Sequence, residues 1–313
     1  MPSSWFDAPV SRRRWCALGG LGLTAWVLPG CAAFNHEGPD AAAPQPVLTP
    51  LAQPPRLAVV LGSGGPRGYA HIGLMRVLQE AGIRPDLIVG ASVGALLGAF
   101  WAAGVDAAAI DEMSQQGGPL TLFDPSLFAD RGWIHGHRLQ AYVDDRLGHA
   151  TIEQLPTRLV IAATRRVDKV PVYFDRGHIG VAVRASSAMP GIVSPVGVLG
   201  VEYEDADVAV PVPVSVAHQL GARFVIAVDV SARRGSTPDD APAWKLARDE
   251  ARWRRIEPEV RQADFLIHPD LDYNAGPWPS YFRMARQRGE QHARERLPAL
   301  LDALADALDR PGA

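Results

Sequence analysis

The chain has 313 residues, 47% of them hydrophobic, with 31 basic residues against 34 acidic ones. That length allows one large domain or two small ones with an ample core, so disorder is not the default. The formal charge of -3, with no long run of either sign, offers no basic stripe for nucleic acid.

Only Cys16 and Cys31 are present, too few for a disulfide framework or a cysteine zinc site. Their position is more telling than their number. Arg12, Arg13 and Arg14 form a positive n-region, and Trp15 to Leu28 is apolar but short for a membrane span, so residues 1–30 read as an export signal. The segment "LPGC", Leu28 to Cys31, resembles the lipobox of bacterial lipoproteins, which makes Cys31 the expected lipid attachment point. A plain secretory signal is the alternative, and "SRRRW" from Ser11 loosely resembles a twin-arginine signal. The expected location is the periplasmic side of the bacterial envelope, with Ala32 after the cysteine favouring the outer membrane. Residues 31–55, rich in Ala and Pro without an apolar period, read as a tether, and residues 56–313 as the folded domain.

From Arg56 short apolar runs alternate with amphipathic stretches, the pattern of an α/β domain with a mainly parallel central sheet. "RLAVVLG" is the first strand, followed by a Gly-rich turn and a helix over Tyr69 to Ala81. "DLIVG" is the second strand, turning at "GASVG" into a helix that runs through Ala103. Further strands are expected at "RLVIAAT", "VPVYF", "FVIAVDV" and "DFLIH". Helices are expected at Gly136 to Leu147, Val212 to Leu220, Ala243 to Gln262 and Pro279 to Leu308.

"GASVG", Gly90 to Gly94, fits G-x-S-x-G between a strand and a helix, the context of a nucleophile elbow. Such a turn holds its serine, Ser92, in a strained conformation with Oγ presented, and Gly90 and Gly94 keep side chains from colliding across it. Ser92 also starts a helix, where the dipole and free N–H groups favour developing negative charge. "GSGGPRG", Gly62 to Gly68, lies between the preceding strand and helix. Arg67 stands where a dinucleotide fold has a third glycine, and Tyr69 where a P-loop has lysine. An oxyanion hole fits better, with Gly64 and Gly65 as main donors because Pro66 has no N–H, and with Arg67 either aiding an anionic substrate or bracing the loop.

Gly-rich loop, helix, strand and elbow within so short a span resemble the patatin-like phospholipase family. The resemblance implies a three-layer α/β/α fold and a Ser-Asp dyad without histidine, acting on lipid esters such as phospholipids or lysophospholipids, with no cofactor and no metal. The family's aspartate lies in a D-G-G or D-G-A motif, and "EDADVAVPVPVSVAHQLGARFVIAVDVS" resembles that region with the aspartate at Asp205. "AVRASSAMPGIVSPV" upstream is similar to the stretch that precedes it. Two departures stand out: Ala206 and Asp207 replace glycine after the aspartate, and Ser63 replaces the first glycine of the Gly-rich motif. Asp207 is the alternative base, and a catalytically silent patatin-fold protein that binds lipid or partners is the alternative function.

His268 would complete a triad if the chain were an α/β-hydrolase. His135 and His137 form an H-x-H that no acidic or cysteine cluster completes as a metal site, and His71 reads as structural. Gly117 to Trp133 reads either as a lid or lipid-facing surface or as an ordinary core-contacting loop. The C-terminal helix, amphipathic with a basic first half, reads as a surface helix packed on the domain or as one lying on a membrane.

Overall fold

The computed structural model of the protein describes residues 43–116 and 119–309. Contacts divide the chain into Met1–Ala33 and Phe34–Ala313, and every described residue belongs to the second unit. Cys31 and the leader read in residues 1–30 lie outside the described residues.

The expected mixed α/β fold is present. Its sheet has eight strands: β1 (Leu57–Leu61), β2 (Leu87–Ala91), β3 (Arg158–Arg165), β4 (Val170–Phe174), β5 (Val196–Val198), β6 (Val201–Glu204), β7 (Phe224–Val228) and β8 (Phe265–Ile267). The order is β5-β6-β3-β2-β1-β7-β8, with β4 also paired to β3. β3, β2, β1, β7 and β8 run parallel to one another, while β4 and β6 pair antiparallel with β3, and β5 with β6. β1, β2 and β7 are buried on both faces, which is why they read as unbroken apolar runs rather than alternating ones.

Alternate residues of these strands enter two cores. Val59, Leu61, Ile88, Leu159 and Ile161 pack against α1 (Tyr69–Glu80), α2 (Val93–Ala102), α5 (His137–Leu147), α6 (Ile179–Ser186) and α9 (Pro279–Asp309). Ala58, Val60, Leu87, Val89 and Val160 pack against α7 (Val214–Gln219) and α8 (Ala243–Val260) on the other face. The result is the expected helix–sheet–helix layering. The short helices α3 (Ala107–Gln115) and α4 (Pro119–Leu122) follow α2, and Asp106 caps α3 by accepting the Ala109 N–H at 2.7 Å.

Two features of this packing bear on the site. α1 and α9 cross at close range because each offers a glycine: a Cβ on Gly73 would meet the Arg286 carbonyl oxygen at 2.3 Å, and one on Gly289 would meet the Ala70 carbonyl oxygen at 2.3 Å. Residues 43–55 carry no helix or strand yet are held to the domain. The Thr49 N–H donates to Asp175 at 2.5 Å, Gln45 bridges Arg176, and Leu48 and Leu51 pack on the second core.

Candidate active site

β1 and β2 end side by side, and the chemistry-bearing turns follow from their ends. The turn after β2 places Ser92 at φ 53°, ψ -119°, a region costly for a residue with a side chain. The glycines around it are fixed by packing. A Cβ on Gly94 would stand 2.1 Å from the Leu61 carbonyl oxygen of β1, and one on Gly90 would stand 2.5 Å from the Ala95 Cα. The Ser92 N–H donates to the Ser186 hydroxyl at 2.8 Å, which ties the elbow to the end of α6.

The Ser92 hydroxyl donates to Asp205 Oδ2 at 2.9 Å across 113 positions of sequence. Asp205 follows β6 and is only 2% exposed. Its carbonyl oxygen accepts the Thr164 hydroxyl of β3 at 2.8 Å, and its N–H donates to the Ala188 carbonyl at 3.0 Å. Its other carboxylate oxygen accepts the Asp207 N–H at 2.8 Å. Burial and the neighbouring Asp207 carboxylate push the Asp205 carboxyl up to about 7, against the hydrogen bonds from Asp207 N–H and Ser92 and the charge of Arg252.

Ala206 and Asp207, where the family pattern has glycine, lie in a single 3₁₀ turn, Ala206–Val208, and neither takes a positive φ. The turn therefore does not need glycine. The Asp207 side chain has partners other than Ser92: it accepts the Ser63 hydroxyl and the Arg252 guanidinium, Nη2 at 2.8 Å and Nε at 2.9 Å. Burial pushes the Asp207 carboxyl up, but the Arg252 charge and hydrogen bonds outweigh it and the net shift is downward.

The Gly-rich turn is pinned at its start, with the Gly62 N–H on the Val228 carbonyl at 3.0 Å and the Ser63 N–H on the Pro211 carbonyl at 2.8 Å. Gly65 has φ 53° and lines the cavity beside Ser92, while a Cβ on Gly64 would meet Val230 at 2.7 Å. The Arg67 N–H is taken by the Gly64 carbonyl at 3.2 Å, and its guanidinium holds the carbonyls of Asp272, at 3.3 Å, and Tyr273. The side chain therefore braces a loop. His71 is fully buried with Nε2 on the Gly62 carbonyl at 2.9 Å, and burial lowers its pKa to about 4, so it is a neutral strut under the turn.

Ser92, Asp205 and Gly65 open into a cavity of about 320 Å³ whose walls are almost wholly apolar, among them Tyr69, Phe100, Tyr142, Met189, Ile192 and Phe282. Tyr69 and Phe282 stack at 4.1 Å between centroids. Leu122 and Phe123 from the segment read as lid or loop also line the cavity, while Leu127 and Phe128 further along it are 90% and 88% exposed.

The remaining candidates lie elsewhere. His268 Nε2 is 3.0 Å from the Ser231 carbonyl, and the residue does not line the cavity. His137 Nδ1 is 3.3 Å from an Arg184 nitrogen, and the H-x-H gathers no metal set among the described residues. A His/Asp group does form where α5 ends and α6 begins, with ligand atoms of Asp144, His149 and His178 within 4.8 Å of one another. Ser186, Thr164 and Arg252 were missed by the sequence reading. Ser186 lies in the quoted "AVRASS" stretch, whereas Arg252 sits in a charge-dense helix that gives no hint of its partner.

Residues 59–218 match the sequence model of the family described as Patatin-like phospholipase. The chain belongs to that family. Among relatives of this patatin-like chain, an uncharacterised NTE family protein of Mycobacterium bovis is 36% identical over 193 residues, 60% of this chain and 52% of the relative. Neuropathy target esterase of Drosophila melanogaster is 27% identical over 69% of this chain and 16% of its own length, and a lysophospholipase of Aspergillus fumigatus is 29% identical over 59% and 12%. The patatin-like chain thus spans about half the length of the mycobacterial relative and less of the others. VipD of Legionella pneumophila shares the fold, with a TM-score of 0.55, 13% identity and coverage of 78% of this chain and 66% of VipD.

These findings correct the expected location. The expected envelope location finds no support in them: the fold is shared with VipD, no helix among the described residues is long and apolar enough to cross a membrane, and Cys31 lies outside the described residues.

Proposed function

We propose that the domain of residues 56–313 is a serine acyl-ester hydrolase acting on lipid esters, with Ser92 as nucleophile and Asp205 as base. The observation that carries this is the 2.9 Å hydrogen bond from the Ser92 hydroxyl to Asp205, both of which line an apolar cavity. The substrate's acyl chain lies along the cavity and its ester carbonyl sits over Ser92. Oγ attacks that carbon as its proton passes to Asp205 Oδ2, and the resulting oxyanion is met by the Gly64 and Gly65 amides and the N-terminus of α2. Arg67 keeps the glycine turn in place from outside. Collapse of the tetrahedral species expels the alcohol, which takes the proton from Asp205, and a water deprotonated by the same carboxylate then releases the acid.

A carboxylate with a pKa near 4 is a feeble base for a hydroxyl, and the rise of Asp205 to about 7 suits it to this work. Labelling with a fluorophosphonate probe tests the reading. The full chain is expected to label, Ser92→Ala to abolish labelling and Asp205→Ala to slow it at least about 100-fold, while Asp207→Ala and His268→Ala retain it. No labelling of folded protein would leave the silent lipid-binding alternative. Labelling lost with His268→Ala and kept with Asp205→Ala would establish a different base.

A further inference from the structure

Ser63 and Asp207, two positions at which the resemblance implies glycine, lie 144 positions apart and are hydrogen-bonded to each other. Both also meet one cation. Arg252 of α8 gives Nε and Nη2 to the Asp207 carboxylate and directs Nη2 at the Ser63 hydroxyl, 3.1 Å, and carbonyl, 3.3 Å. Ser63 opens the glycine turn and Asp207 stands two residues after the base, so the three side chains join the elements that flank the reacting atoms.

We propose that Ser63, Asp207 and Arg252 form a clamp between the glycine turn and the base-bearing turn, with Asp207 and Arg252 as positioning residues that set where the Asp205 carboxylate stands and what charge it faces. The inference rests on the Ser92–Asp205 reading and adds to it the source of the base's placement.

The contacts define how the clamp acts. The Asp207 N–H holds Asp205 Oδ1 at 2.8 Å, leaving Oδ2 for Ser92, so any movement of Asp207 is passed to the base within one turn of chain. Ser63 is 1% exposed, and its hydrogen bonds to Asp207 and Arg252 tie the start of the glycine turn to the base-bearing turn. A second carboxylate two residues from a buried one favours protonation of the first, and a guanidinium bound to that second carboxylate opposes the effect. Other groups around Asp205 are the hydroxyls of Ser92 and of Thr164 from β3, with Tyr173 of β4 packed on the small apolar cluster that contains Ala206. Arg255 of α8 acts on Asp207, and Asp229 after β7 acts on Arg252. Asp207 and Arg252 therefore bias Asp205 in opposite senses, as a merely structural brace would not.

The test measures the rate of fluorophosphonate labelling of the full chain against pH. Labelling requires ionised Asp205, so the wild-type rate is expected to rise with a midpoint near pH 7. Asp207→Asn, which keeps the main-chain N–H and removes the charge, is expected to move the midpoint down by about half a unit or more. Arg252→Gln is expected to move it up by a similar amount, and Arg252→Lys, which keeps the charge, to return it toward the wild-type value. Midpoints that stay put, or that move the same way in Asp207→Asn and Arg252→Gln, would overturn the clamp. Should Arg252→Gln fail to fold in a thermal scan, Asp207→Asn decides alone: a downward shift supports the proposal and an unmoved midpoint ends it. Failure of the underlying reading is distinguishable, since wild-type chain would then go unlabelled at every pH or label regardless of Ser92→Ala.

Discussion

Asp205 is held where its charge is unwelcome, and that has a cost in stability that depends on pH. Its carboxyl lies at about 7 against an ordinary 3.8, so between those values the folded chain binds a proton that the unfolded chain has released. Stability from this residue is thus present at low pH and lost as pH rises through 7. Asp205→Asn, which cannot ionise, is expected to match wild type near pH 4 and to exceed it increasingly up to pH 8, by at most roughly 4 kcal/mol. Urea melts at several pH values measure this, and an equal difference at pH 4 and pH 8 would refute it. The serine was legible in the sequence because G-x-S-x-G between a strand and a helix has few other uses. The aspartate came only through resemblance, since nothing local separates Asp205 from Asp207. What separates them is partnership: one carboxylate meets Ser92 and the other meets Arg252, and such pairings over long sequence distances leave no local trace.

The turn between β2 and α2 works because backbone passes very close to backbone. Gly94→Ala would drive a methyl to 2.1 Å from the Leu61 carbonyl, and neither strand nor helix can give way without breaking pairing in the sheet. The expected loss is about 3 kcal/mol, seen as a lower thermal midpoint together with lost probe labelling. A variant as stable as wild type would show that the elbow is looser than its contacts imply. Elements with a clean period or an unbroken apolar run, such as α1, α8, β1 and β7, were readable from sequence. α6 was not, because at eight residues it is too short for a helical period to stand out and its one charged residue, Arg184, is buried with the rest. β5 and β6 escaped for a similar reason: they have three and four residues, too few for any period to register.

Over the whole molecule, the strand order puts β1 at the reversal point, with β2 and β3 built to one side and β7 and β8 to the other. Open sheets of this kind place their ligands beyond the carboxyl ends of the strands at such a point, and the Gly-rich turn and Ser92 both lie there. The alternation of strands with helices made the parallel sheet legible, whereas the cavity was not, since its walls come from segments scattered from Gly65 to Phe282. Leu127 and Phe128, a few residues beyond the cavity-lining Leu122 and Phe123, are exposed, an arrangement unfavourable in water and favourable against clustered lipid. The double change Leu127→Ser with Phe128→Ser is expected to leave hydrolysis of a short, dispersed ester within about twofold of wild type and to lower that of micellar substrate about tenfold. Equal effects on both substrates would refute the assignment.

The glycine crossing of α1 with α9 also sets an order of completion during synthesis. Ser92, Asp205 and the Gly-rich turn are all encoded before Pro279, but Phe282, which stacks on Tyr69 at the cavity wall, and the backbone that covers Gly73 arrive only with the thirty-one residues of α9. A nascent chain can assemble its reactive pair on the ribosome while the greasy chamber beside it still gapes. Until α9 has emerged, the nascent chain lacks part of that wall.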